Sequence, residues 1–198
     1  MESLEEFKAY LPKYLTPAEK SDLFEQLKLF PQNRNFYFDG AREEELLQGD
    51  GWKGFVAINF HTLEKKVVSG IIISNSCDIS QKNRHDFSPS ALFAPIILVS
   101  KYIQLLRQIR PEADIANKIS SIRRQETTSI FYLPPMPSGE GEAMVVLDDV
   151  HAHPIDHFMQ NARSRLFRLN QFGFYLFLFK LSIHLTRFQE DVHRVATH

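Results

Sequence analysis

The chain has 198 residues, 43% of them apolar and 24% charged, with a formal net charge of −1. That balance describes a globular protein and excludes a disordered tail, a collagen-like chain and a coiled-coil rod. No apolar run reaches the roughly 18 residues that read as a membrane span, and one cysteine, Cys77, excludes an internal disulfide or a multi-cysteine zinc site.

The charge is unevenly spread. Residues 1–50 hold eleven acids against six bases, and residues 51–198 hold seventeen bases against thirteen acids. A total so close to zero argues against strong non-specific attraction to nucleic acid, while a mildly basic face on the later part is allowed. The opening carries Glu2, Glu5, Glu6 and two prolines where a secretory leader needs a basic start and an apolar run. The expectation is a single cytoplasmic domain with no membrane partner. It divides into a helical N-terminal extension (1–48), a β core (49–154) with a helical insertion at about 100–126, and a C-terminal helical region (155–198).

Residues 2–14 read as a helix interrupted near Pro12. Thr16-Pro17-Ala18-Glu19 is a helix start, with threonine as cap, proline at the first helical position and glutamate closing a capping box. The helix it opens puts Leu23, Leu27 and Phe30 on one face beside Phe24 and stops at Pro31. Phe36-Tyr37-Phe38 is a short extended piece between polar turns. From Gly51 the period changes: 51–60 reads as a strand, Thr62 to Lys65 as a hairpin turn, and Val67 to Ile73 as a largely buried strand. Ala91 to Val99 is a third strand, with Pro95 implying an edge or a bulge. Tyr102, Leu105, Leu106 and Ile109 then repeat at helical spacing, and a second helix from Pro111 carries Ile115, Ile119 and Ile122. Ser129 to Leu133 and Ala143 to Leu147 are two further strands around a Pro/Gly/Ser-rich loop. Pro154 opens a long helical region to about Val195. Five short strands with hairpin-length links and bracketing helices make the class α+β, with a small antiparallel sheet or barrel.

Several clusters carry potential chemistry. Cys77 and Asp78 leave a buried strand just before Arg84 and His85, so a thiolate assisted by His85 or Arg84 is conceivable; the plainer reading is a small buried cysteine and a turn-capping aspartate. Arg107, Arg110, Arg123 and Arg124 decorate the inserted helices and, with Arg84, could track a phosphate backbone, although solvated helix faces look the same. His151-Ala152-His153-Pro154-Ile155-Asp156-His157 resembles the zinc motif His-x-His-x-Asp-His of metallo-β-lactamases, with one residue too many before Asp156; the plainer reading is a polar turn with Asp148, Asp149 and Asp156 near a helix N-terminus. No metal or cofactor is expected. Arg187 and His193 fit the loose spacing of HEPN ribonucleases, a pattern that chance supplies in a chain with eight histidines. No glycine-rich phosphate loop and no Gly-x-Ser-x-Gly elbow is present.

Gly49-Asp50, a strand, a turn with Glu64 and Lys66, and Ser69-Gly70-Ile71-Ile72-Ile73-Ser74 resemble the opening of the MazF/PemK growth-inhibitor toxins. Ala94-Pro95-Ile96-Ile97 is similar to that family's Pro-Ile-Thr-Ser strand, and Ala143 to Asp149 with the helix after Pro154 to its closing elements. The resemblance spans residues 49–160. It implies a small antiparallel SH3-like β-barrel, often a homodimer, that cleaves single-stranded RNA without a metal, within a bacterial toxin–antitoxin pair. It also implies chemistry at an arginine and a threonine, and those positions here read Ser69-Gly70 and Ile97. An arginine would stabilise the developing phosphorane charge and a hydroxyl would position the reacting groups; neither side chain is present.

Three classes follow. One is an RNA-associated relative of these toxins with lost cleavage chemistry. Another is a protein–protein interaction module, for which the Phe172–Phe179 stretch would stay exposed. The third is an enzyme built around Cys77, Asp78 and His85.

Overall fold

The computed structural model describes residues 16–18, 21–22, 25, 35–40, 45–59, 61–80, 82–83 and 86–186. The expected helix over 2–14, the apolar face of Leu23, Phe24, Leu27 and Phe30, and the Arg187/His193 spacing lie outside them. Within the described part of the second helix, Thr16 precedes helical Pro17 and Ala18, where the cap was expected.

From Gly51 on, seven strands and five helices follow one another among the described residues: β1 (Gly51–Ile58), β2 (Lys65–Ile72), α1 (Ser76–Ile79), β3 (Ser90–Leu98), α2 (Val99–Leu106), α3 (Glu112–Arg123), β4 (Ile130–Leu133), β5 (Ala143–Val146), β6 (His151–Pro154), α4 (Ile155–Gln160), β7 (Ser164–Phe167) and α5 (Gln171–Thr186). The class is α+β, and every strand pairing is antiparallel. The strand order is β4-β5-β3-β2-β1-β7, with β6 also on β3. β4 and β7 end the path, so the sheet is open.

The region after residue 154 corrects the expectation of one long helix. It holds α4, the strand β7 on β1, and α5. Asn161, Ala162 and Arg163 break the helical pattern, and Ser164-Arg165-Leu166-Phe167 is too short to announce itself as a strand. Arg165 therefore lies within a strand, with Arg163 and Arg168 immediately flanking it. β6 is likewise a strand where a turn was expected, so Asp148 and Asp149 stand before a strand; of the three aspartates only Asp156 lies in a helix's first turn.

β5 and β6 form one interrupted track along β3. Val145 pairs with Ile96 and His151 with Phe93, so this track advances six residues while β3 moves back three. The surplus is the turn at Leu147 to Val150. Pro95 falls beside that interruption, between the residues paired to β6 and those paired to β5, so its missing N–H removes no ladder bond. This corrects the expected edge position: β3 is a central strand.

Alternation sends successive residues to opposite faces, and both faces are covered. Ile71, Ala94, Phe131, Leu133 and Val145 join Phe172, Tyr175, Phe177 and Leu181 of α5 in one core. On the other face, Trp52, Phe55, Ile72 and Phe93 pack with Ile155 and Phe158 of α4. Ile130, Tyr132 and Met144 cover Leu106, Ile115, Ile119 and Ile122 of the helical insertion. Phe172 and Phe177 are buried against the sheet, so the stretch does not present the exposed Phe172–Phe179 surface that an interaction module would require. α5 also explains the open sheet. A small barrel's interior admits side chains, whereas a helix with its side chains measures about 10 Å across.

Residues 35–38 close the remaining gap. Tyr37 forms an isolated bridge with Leu169, and the Phe38 N–H donates to the Arg168 carbonyl at 2.9 Å. On the opposite side, the Tyr37 hydroxyl donates to the Pro134 carbonyl at 2.6 Å, and Phe36 stacks on Phe131 at 6.2 Å. This segment thus links the β7 end of the sheet to the β4 end through side chains. Burial holds the Tyr37 phenol far above its ordinary pKa.

Gly49 and Asp50 set the start of β1. Gly49 has φ +83°, a conformation that a side chain would strain, and its N–H donates to Ile72 at 2.9 Å. Asp50 is 1% exposed and takes Arg168 Nε on both oxygens at 3.1 Å and Nη2 at 2.8 Å. Burial pushes the Asp50 carboxyl up, against the pull of Arg168.

Candidate functional site

The positions that the toxin resemblance marks come together on neighbouring strands. Gly70 pairs with Pro95, and Ile97 lies two residues further along β3. Ser69 pairs with Lys53 of β1, whose ammonium is bound by Glu140 from the β4–β5 loop. Ser69, Gly70 and Ile97 supply neither a guanidinium nor a threonine hydroxyl at these positions.

Three of the insertion's four arginines are held by carboxylates. Arg107 Nη2 lies 3.1 Å from Glu112, and Arg124 engages Glu126 through Nε at 2.6 Å and Nη2 at 2.9 Å. Arg123 grips Glu142 with both arms of its fork, Nε at 3.0 Å, and the Tyr132 hydroxyl donates to the same carboxylate at 2.8 Å. Hydrogen bonding to Arg107 lowers the Glu112 pKa, and Arg124 does the same to Glu126. Arg110 is exposed and has no ion pair among the described residues. Residues 99–126 carry six bases against three acids, a net of +3. Arg84 lies outside the described residues.

Cys77 is exposed, which corrects the expectation of a buried core cysteine. It belongs to the single turn α1, and the cap is Asn75, whose Oδ1 accepts from the Cys77 N–H at 2.9 Å. Asp78, expected to cap, follows inside the turn. His85 lies outside the described residues, so the Cys77–His85 constellation has no geometry here.

The histidine-rich string does assemble something. His153 Nε2 lies 2.8 Å from His157 Nδ1, bringing together a strand residue and the first turns of α4. Phe55 and Phe158 wall His153, at ring-centroid distances of 6.0 and 5.7 Å. Burial first, then the neighbouring His157, lowers the His153 pKa. His151 turns away, stacking on Phe93 and meeting Asp149 at 2.9 Å. Among the described residues no three His, Cys, Asp or Glu side chains converge to hold a metal ion. Nitrogens 2.8 Å apart share a proton; two ligands of one tetrahedral zinc stand about 3.3 Å apart.

Two further polar contacts escaped the sequence. Lys180 is buried in α5 and its ammonium donates to the Gln125 carbonyl; burial lowers its pKa. Gln125, at φ +60°, docks its side-chain amide on the Tyr132 backbone, donating at 2.8 Å and accepting at 3.0 Å. A lysine inside the apolar run Phe172–Leu181 was the readable signal for the first. Among the described residues no helix is long and apolar enough to cross a membrane. Compared with models of protein families the sequence matches none, and no curated protein matches it significantly.

Proposed function

We propose that the chain is a relative of the MazF/PemK growth inhibitors with an opened SH3-like barrel, that it binds single-stranded RNA through its helical insertion, and that it has lost the family's ribonuclease chemistry. The observation that carries the binding is the net +3 of residues 99–126, displayed on two helices whose apolar faces are spent on β4 and β5. Strands near the expected positions, and a buried Asp50 in the Gly-Asp pair, support the kinship. Ser69, Gly70 and Ile97 support the loss of cleavage. Arg107, Arg123 and Arg124 contribute only by exchanging Glu112, Glu142 and Glu126 for phosphate, which leaves Lys101, Arg110 and Lys118 as the bases able to contact RNA directly.

The test is fluorescence anisotropy of the full chain with a labelled single-stranded RNA across a salt series. Affinity falls with salt by about 0.7 log units per log unit of salt for each phosphate neutralised, so Lys101→Ala with Arg110→Ala flattens the slope by about 1.4. The RNA remains intact. Cleavage sinks the non-catalytic part, and no binding at low salt sinks the whole. One observation favours a second reading, a protein partner on the same surface: Leu105 in the last turn of α2 and Ile109 in the turn that follows it stand 58% and 75% exposed.

A further inference from the structure

His153 is 4% exposed, sits opposite Ala91 in the sheet, and has no partner for Nδ1 among the described residues. That orphan decides where the proton lies. A protonated Nδ1 would be a buried donor without an acceptor, costing about 1–3 kcal/mol, whereas a bare Nδ1 leaves only an acceptor unused. His153 Nε2–H therefore donates to His157 Nδ1, and His157 keeps its own proton on Nε2. A proton added to this pair has no comfortable place. Either two N–H groups face each other across the 2.8 Å gap, or the bridging proton passes to His157 and His153 Nδ1 becomes a buried, unpaired donor.

We propose that the His153–His157 hydrogen bond is a proton-operated latch that holds α4 against the sheet and lets go in mild acid. α4 is a short helix anchored by Ile155 and Phe158, and Phe158 stacks on Phe55 at 4.4 Å. Opening it exposes the Phe55–Phe93–Phe158 cluster while the main core under α5 stays closed.

The surroundings supply nothing that would neutralise the added charge. On β6, His151 is engaged by Asp149; on α4, Asp156 accepts from the Ser88 hydroxyl at 2.7 Å. At the end of α4, the neutral Asn161 amide donates to the His157 carbonyl at 2.7 Å and lies 3.2 and 3.3 Å from the two ring nitrogens of His157, and Arg163 donates to the Met159 carbonyl. β1 and β3 present Phe55, Phe93 and Ala91. Burial and His157 hold the His153 pKa below its ordinary 6.5. The opened form therefore takes up a proton first as pH falls. The latch's contribution is whole above that ordinary value and is lost as pH drops toward the depressed one.

The chain carries its own reporter, because its single tryptophan, Trp52, meets Phe158 edge-on at 6.1 Å. Trp52 emission and far-UV circular dichroism of the full chain are followed from about pH 8 to about pH 5. The expected result is a reversible red shift of emission with secondary structure retained, absent in His153→Leu. Imidazole nitrogen shifts of the wild type give a second readout independent of that variant's folding. One histidine should stay neutral and Nε2-protonated to lower pH than the rest, then titrate together with the Trp52 change. Persistence of the shift in His153→Leu overturns the proposal. So does simultaneous loss of secondary structure, an unchanged Trp52, or a His153 that titrates with the other histidines.

Discussion

Gly173→Ala should destabilise the protein, although an alanine inside a helix is ordinarily favoured over glycine by about 1 kcal/mol. A Cβ on Gly173 would lie 2.5 Å from the Phe36 carbonyl oxygen and 3.1 Å from the Phe36 Cβ. Ordinary C···O contacts begin near 3.3 Å, so the 35–38 segment must retreat by about 0.8 Å. Phe36 has no slack, being 1% exposed between Phe131 at 6.2 Å and Phe172 at 5.4 Å. Overpacking of this kind costs about 1–3 kcal/mol, and weakening the bond from Asn170 N–H to the Phe36 carbonyl about 1 more. Subtracting the helix gain leaves a net loss of about 2 kcal/mol, or about 4–8 °C in Tm for a chain of this length. Thermal and urea unfolding of the two proteins measure it. An unchanged or raised Tm would refute the reasoning, because it would mean that Phe36 does not cross α5 at that glycine.

Asp50→Asn leaves Arg168 charged in a buried setting, and unfolding experiments should register a loss of about 3–5 kcal/mol. For Lys180 the folded pKa lies below 10.5, so the unfolded chain holds the extra proton and stability drops as pH falls from that value toward the folded one; Lys180→Met should remove that decline in a Tm-versus-pH series while changing neutral-pH stability by only about 1 kcal/mol. Exposed Cys77 should react with a thiol reagent in the native protein within about tenfold of its rate in denaturant, and strong native protection would show that α1 packs more closely than described.

Runs such as Phe55 to Ile58 and Val67 to Ile73 declared themselves because they are rich in β-formers over four to seven residues between turn signals. The insertion was equally plain from Ile115, Ile119 and Ile122 at helical spacing. β6 and β7 were invisible for the opposite reason: His-Ala-His-Pro and Ser-Arg-Leu-Phe are four residues each, and their strand character comes from β3 and β1, not from their own composition. Pro95 misled because its cost depends on an interruption in the neighbouring strand. The candidate sites were less legible still. Arg168 meets Asp50 across 118 residues, and no local pattern links them. The four-residue spacing of His153 and His157 looked like a faulty zinc motif, because spacing alone does not show that one ring is buried and the other exposed.

Residues 35–38 have a consequence for how the chain is made. Asn35 is bound by Asn170, 135 positions later, and Phe36 rests on rings that arrive with β4 and α5. At ribosomal speeds of about 5–20 residues per second, that interval lasts roughly 7 to 27 seconds. Until β4 is made Phe36 and Tyr37 lack Phe131 and Pro134, and for the whole interval the apolar face of β1 to β3 lacks α5. The nascent protein therefore spends most of its synthesis as an incomplete sheet with bare aromatic surface. Its yield in a cell should depend on chaperone capacity and on translation rate more than its finished stability would suggest.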